Sequence, residues 1–264
     1  MDVMSTPHQI PTVALPGGAM PLLGLGTWQA EGTDAERAVT AALELGYTHV
    51  DTATGYGNQA EVGRALATVG TDRDAVFVTT KLPPDHAGRE RQTLMESLAE
   101  LGTDHLDLWL IHWPPNKQAT PATWEQFIAA RDEGLVRSIG VSNYSIAQID
   151  ELIAATGEAP AVNQIPWSPT DWDADLVAEH ERRGVRVEGY SAFKRTDLDD
   201  PVLTGIAAAH DASTRQVVLA WHLAHGVVVI PKSTSPERLA HNLEAVDLTL
   251  TADEVAAVDA LGGR

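Results

Sequence analysis

Along most of the chain, short apolar runs rich in Val, Ile and Leu alternate with amphipathic stretches of about 10–14 residues. Eight such runs stand out, at 22–26, 48–51, 76–81, 106–111, 138–141, 161–164, 186–190 and 227–230. They are apolar without strict alternation, the pattern of parallel strands covered on both faces. Each is followed by a stretch with a legible helix start. Thr33 with Glu36, Ser145 with Gln148 and Ser213 with Gln216 fit the capping box, and Thr120-Pro121 and Ser235-Pro236 place a cap residue before a first-turn proline. In the stretch 35–45, Ala38, Val39, Ala42 and Leu45 fall on one helical face.

Eight strand–helix units in roughly 250 residues predict an α/β fold, a (β/α)8 TIM barrel. Ahead of the first unit, 12–15 and 19–21 around Pro16-Gly17-Gly18 predict an N-terminal β-hairpin placed to close the bottom of the barrel. After the last, 251–261 predict an extra C-terminal helix with its own capping box, Thr251 to Glu254. No linker or composition shift divides the chain, so 1–264 reads as a single domain. A doubly wound sheet fits less well, because Gly24-Leu25-Gly26 lacks the third glycine of a dinucleotide fingerprint.

Composition narrows the function. With 18 Lys+Arg against 37 Asp+Glu, the formal charge is −19. Such a surface repels phosphate backbones and anionic membranes, so neither nucleic acid nor membrane is an expected partner, and any clustered cations become informative. The absence of cysteine excludes thiol nucleophiles, disulfides and Cys-based zinc sites, and fits a reducing cytoplasm. The start lacks a basic n-region and an apolar h-region, and no apolar run approaches the length of a membrane span.

In a barrel of this kind chemistry sits at the C-terminal ends of the strands. There the chain carries Asp51, with Tyr56 in the following loop, Lys81, and His112 before Trp113. A carbonyl being reduced by hydride develops charge on its oxygen and needs a proton donor. Tyrosine is a weak acid, and a nearby cation favours its phenolate. Lys81 can supply that cation, Asp51 can hold it, and His112 can donate a hydrogen bond to the substrate oxygen. His222 and His225, at i and i+3, lack a third ligand, so no metal is expected. The Asp197–Asp200 run reads as a solvated loop, and Trp109, Trp124 and Trp221 as packing.

The strings GLGTW at 24–28, GYTHVDTATGYGNQAEVGRAL at 46–66, TTKL at 79–82, LDLWLIHWP at 106–114, GVSNY at 140–144, NQIPWSP at 163–169, GYSAF at 189–193 and IPKSTSPERLAHN at 230–242 resemble the aldo-keto reductase family, in family order over almost the whole chain. They are most similar to short bacterial members such as the 2,5-diketo-D-gluconate reductases. The resemblance implies a catalytic tetrad of Asp51, Tyr56, Lys81 and His112, with Tyr56 as general acid. It implies NADPH/NADP+ as cofactor, with Ser142, Asn143 and Gln164 at the nicotinamide carboxamide and Tyr190 stacked on the ring. Lys232, Ser233, Arg238 and Asn242 would bind the adenosine end, Lys232 and Arg238 gripping the 2′-phosphate. Both accord with anion binding at a helix N-terminus and with the guanidinium's planar fork. The expected product is an alcohol made from a small-molecule aldehyde or ketone, a keto acid, keto sugar or bulky ketone, by a monomeric cytoplasmic enzyme.

Several positions depart from the family pattern. His241 stands where a Glu is usual, and the stretch Asn163-Gln-Ile-Pro166-Trp167-Ser168-Pro169 departs from the common Asn-Gln followed by a Glu and later a His-Pro. Lys194 and Arg195 either reach the pyrophosphate or lie in a solvated loop. The short loop at 114–120 and the chain's end just past the last helix predict an open pocket walled by Trp28 and Trp113, with Trp172 as a third candidate. Two other readings stay open: an aldolase-like lyase forming a Schiff base on Lys81, and a non-catalytic NADPH-binding regulatory protein.

Overall fold

The structure, a computed structural model, describes residues 8–262. What the sequence reading placed at 1–7 and 263–264 lies outside the described residues. Strands β1 (Thr12–Leu15) and β2 (Gly18–Pro21) form the expected antiparallel hairpin. The remaining eight, β3 (Leu25–Gly26), β4 (His49–Asp51), β5 (Phe77–Leu82), β6 (Leu106–Ile111), β7 (Val136–Ser142), β8 (Val162–Pro166), β9 (Arg186–Tyr190) and β10 (Val228–Val229), are parallel and lie in chain order. Parallel bridges Leu23–Val229 and Gly26–Lys232 join the first to the last and close the barrel. At this seam the ladders are shorter than the apolar runs predicted. Bare glycine backbone allows the close approach across it, since a Cβ on Gly26 would stand 2.6 Å from the Ile230 carbonyl oxygen; on the β4 side, one on Gly24 would stand 2.5 Å from the His49 ring.

The hairpin seals the lower end. Leu15, Met20 and Leu22 pack with Phe77, Leu108, Leu110 and Val162 in an apolar cluster inside the barrel. Gly17 makes this approach possible, because a Cβ there would lie 2.0 Å from the backbone oxygen of Arg137 at the start of β7. Gly17→Ala is therefore expected to cost about 1–3 kcal/mol of overpacking strain, seen as a lowered urea midpoint with an unchanged slope.

Helices cover the outside, and most begin where the caps predict. Ser145, Ser213 and Thr251 each form a complete capping box, and Ser235 caps the helix Pro236–Leu243; each such cap is worth about 1 kcal/mol. Two starts differ. Helix Gly32–Leu45 begins after Glu31, so Thr33 lies inside its first turn and forms no box. Thr120 precedes Pro121 as expected, but its φ of 55° turns the hydroxyl away from the cap geometry. The tryptophans Trp109, Trp124 and Trp221 are fully buried, Trp109 stacked on Phe127 at 3.7 Å. Trp172 joins them rather than walling a pocket: it stacks on His225 at 4.0 Å and meets Trp167 and Trp221 edge-on. Among the described residues no helix is long and apolar enough to cross a membrane.

Candidate active site

The upper rim of the barrel brings together the four residues singled out for chemistry. Asp51 ends β4, Lys81 is the penultimate residue of β5, His112 follows β6, and Tyr56 closes the short 3-10 turn Thr54–Tyr56. Lys81 is fully buried. Its Nζ donates to Asp51 Oδ1 at 2.6 Å, to the Thr52 carbonyl at 2.9 Å and to Tyr56 Oη at 3.4 Å. The second Asp51 oxygen accepts from Gln164 Nε2 at 2.8 Å. The Tyr56 and His112 rings meet edge to face with centroids 5.6 Å apart.

A side-chain tie fixes the turn that carries Tyr56. The buried Asn58 donates to the carbonyls of Thr27 and Ala30, both at 2.9 Å, and accepts from Thr52 Oγ1 at 2.7 Å. Thr27 in turn donates to the Asp51 carbonyl. The loop after β3 and the loop after β4 are thus one hydrogen-bonded unit.

Electrostatics sort the four groups by role. Burial works against the Lys81 charge, but Asp51 and then Tyr56 outweigh it, and its pKa stands above the ordinary lysine value. Burial pushes the Asp51 carboxyl above the usual carboxylate range, opposed by the Lys81 charge and by hydrogen bonds from Lys81 and Gln164. Tyr56 departs from the simple expectation of a lowered pKa. Lys81 acts in the expected direction, but burial acts more strongly, so Tyr56 holds its proton above the ordinary tyrosine value. Burial and then Lys81 push His112 down to about 3. Its imidazole is therefore neutral and can offer one N–H donor.

Three of the four, all but the fully buried Lys81, face a cavity of about 620 Å³. Asp51, Tyr56 and His112 form one part of it, and Ser142, Asn143 and Gln164 another. Tyr190 lies between, its hydroxyl donating to Asn143 Oδ1 at 2.7 Å. Asn143 Nδ2 donates to the His112 carbonyl and to Ser142 Oγ. Trp28 and Trp113 stand at the mouth, 52% and 49% exposed. Gln29, Asn143 and Ser191 all line the cavity and all hold left-handed backbone, with φ of 60°, 63° and 61°. Such conformations are costly for non-glycine residues and gather at sites where the surroundings enforce them.

The other predicted residues divide. Lys232 and Lys194 line the cavity. Ser233, Arg238 and Asn242 lie outside its lining: Ser233 is buried and bonds the Ser235 carbonyl, Asn242 is buried on the helix Pro236–Leu243, and Arg238 is exposed on that helix's first turn. Among the described residues Lys194, Lys232 and Arg238 have no acidic partner, although acids outnumber bases two to one. Arg195 instead pairs with Asp171 at 2.5 Å. His222 and His225 have separate partners, Val218 O and Asp259, and Asp200 caps the helix Pro201–Ala209. His241 is exposed. The sequence reading passed over Gln29, Ser191 and Phe193, whose loops carry no chemical signature, and Asn58, whose role depends on carbonyls in another loop.

Comparison with known proteins places the chain in a family. The family model described as "Aldo/keto reductase family" matches residues 22–262. An "Aldo-keto reductase" of Mycolicibacterium vanbaalenii is 43% identical over 263 residues, covering 98% of this chain and 94% of that protein. "Morphine 6-dehydrogenase" of Pseudomonas putida is 40% identical over 262 residues, covering 93% and 88%. The solved structure of a Bombyx mori aldo-keto reductase in complex with NADP superimposes with a TM-score of 0.87 at 35% identity, covering 96% of this chain and 93% of that one.

Proposed function

The chain belongs to the aldo/keto reductase family, and from that premise we propose that it uses NADPH to reduce an aldehyde or ketone to an alcohol, with Tyr56 as the proton donor. The observation that carries this reading is the convergence of Tyr56, Asp51 and His112 on one wall of a cavity, with Lys81 buried directly behind Asp51 and Tyr56, while the cavity's other walls suit a dinucleotide.

Those other walls fit the cofactor's parts. Ser142, Asn143 and Gln164 offer amide and hydroxyl groups of the kind a carboxamide pairs with, and Tyr190 offers a ring face. Lys232 and Arg238, without an acidic partner among the described residues of an acidic protein, suit a phosphate, and Arg238 lies in the first turn of the helix Pro236–Leu243. When bound, NADPH supplies the hydride that reaches the carbonyl carbon.

The protein's own part concerns the substrate oxygen. His112, being neutral, donates a hydrogen bond that orients the carbonyl and takes up part of its developing charge. Tyr56 holds its proton until the oxygen becomes basic enough to accept it. The O–H bond of Tyr56 then breaks, a new O–H forms on the product, and the phenolate left behind lies 3.4 Å from the Lys81 ammonium. Asp51 keeps that ammonium charged and aimed. The Asp51 partner that keeps Lys81 protonated, and the lysine's full burial away from the cavity lining, argue against a Schiff base there, which would need a free, accessible, deprotonated amine.

The open mouth favours large carbonyl substrates, with Trp28 and Trp113 as apolar walls. A relative named for morphine supports this. The test is consumption of NADPH, and of NADH in parallel, against small aldehydes, keto acids and bulky ketones. Turnover with NADPH and a ranking toward bulky ketones is expected; a cofactor that binds with no carbonyl reduced would favour the regulatory reading. In the same assay Arg238→Ala is expected to raise the KM for NADPH about 10- to 100-fold, the worth of a charged hydrogen bond, and to leave that for NADH unchanged.

A further inference from the structure

Beneath the tetrad lies an ionisable group that the reaction, as described, leaves unused. Glu188 is the central residue of β9, with Gln164 of β8 and Val228 of β10 beside it in register. It is fully buried, and neither carboxyl oxygen meets a donor at hydrogen-bonding geometry among the described residues. The titratable groups around it come from two strands and one turn: His49 and Asp51 of β4, Lys81 of β5, and Tyr56. Gln164 is the neighbouring polar group on β8, and β10 contributes Val228.

None of these provides a counter-ion. His49 Nε2 is 3.8 Å from Glu188 Oε1, but burial above all, together with Lys81, holds this histidine neutral, at about 3. Lys81 is already matched by Asp51 at 2.6 Å. An ionised Glu188 would be a second negative charge in a buried space with one cation. Burial first, and the Asp51 charge second, raise Glu188 to about 8, with Gln164 and Lys81 acting in the opposite direction.

We propose that Glu188 is a positioning residue for the reduction: an uncharged carboxyl below the Asp51–Lys81 pair, whose ionisation sets a second negative charge near Lys81 and hinders proton release from Tyr56. This rests on the reading of Tyr56 as proton donor. With Glu188 neutral, the group of Asp51, Lys81 and Tyr56 has no net charge before proton transfer and one negative charge after it. With Glu188 ionised the same step runs from one negative charge to two, and with Glu188, Lys81 and Asp51 all buried the added repulsion is felt more strongly than it would be in water. Glu188 itself neither gives nor takes a proton during turnover.

Glu188→Gln keeps the shape and fixes the neutral state. The experiment measures kcat for carbonyl reduction from about pH 6 to about pH 10 in both proteins. The native enzyme is expected to slow at least about fivefold as pH rises through about 8, the Glu188 ionisation. Glu188→Gln is expected to match it within about twofold at neutral pH and to hold that rate to higher pH, where Tyr56 begins to ionise. Superimposable profiles overturn the proposal, and so does a variant that binds NADPH normally but is slow at every pH. Glu188→Met, similar in length and also uncharged, replaces the glutamine variant if that one folds poorly. Infrared difference spectra of the two proteins supply a readout apart from turnover. A protonated-carboxyl band present at neutral pH, lost above about 8 and absent from the variant is expected; its absence at neutral pH overturns the proposal even if Tyr56 proves not to be the acid.

Discussion

Tyr56→Phe is expected to lower the rate of carbonyl reduction about 10²- to 10⁴-fold, the usual worth of a positioned general acid, and to leave cofactor affinity unchanged. The change removes one oxygen and its proton and retains the ring that meets His112 edge to face. Hydride arrival then leaves an alkoxide with a single neutral donor, His112, to stabilise it. In energy the loss is about 3–5 kcal/mol of transition-state stabilisation, at about 1.4 kcal/mol for each factor of ten. Steady-state rates together with quenching of tryptophan fluorescence by NADPH separate the two quantities. A joint loss of binding and rate would give Tyr56 a structural task instead.

Lys81→Met should be the most damaging single change to the fold as well as to the rate. It removes a fully buried cation and leaves Asp51, nearly as deeply buried, facing Gln164 alone. Breaking a buried pair in this way costs about 3–5 kcal/mol, because one charge is left uncompensated. The deficit depends on pH with a definite sign. An unpaired Asp51 in the folded barrel holds its proton to a higher pH than in the unfolded chain, where it ionises near 3.9. Folding is then least impaired below that value, and the deficit grows as pH rises toward the folded-state value. Urea unfolding at several pH values checks this. The double variant Lys81→Met/Asp51→Asn is expected to recover most of the stability and none of the rate, since both charges are gone and so is the cation beside Tyr56.

The eight apolar runs located the barrel strands to within a few residues, because burial on both faces leaves a signature that does not depend on neighbours. The errors fell where tertiary geometry decides. The two strands at the seam, β3 and β10, have only two residues each, shorter than their apolar runs, because ladder length depends on how the first and last strands meet. Thr33 missed its cap because the helix began after Glu31, and nothing local to Thr33 marks that. In the candidate site, the groups at strand ends were legible from strand order alone. Gln29 and Ser191 were not: their presence in the cavity depends on left-handed backbone that only the folded loops impose. Glu188 had a faint signal, a carboxylate within the apolar run at 186–190, at a position that alternation turns inward. The expected lowering of the Tyr56 pKa failed in net sign because a sequence names the cation nearby but not the depth of burial that opposes it.

The hairpin that plugs the lower end has a consequence for the molecule as material. Closure of the barrel and the candidate site occupy opposite poles of one cylinder, joined by strands that serve both. The apolar lid of Leu15, Met20 and Leu22 can be tightened, or its β-turn extended to carry a fused module, without disturbing the strained rim that carries the candidate site. Substrate preference can be rewritten at that rim while the lower pole goes on holding the barrel shut.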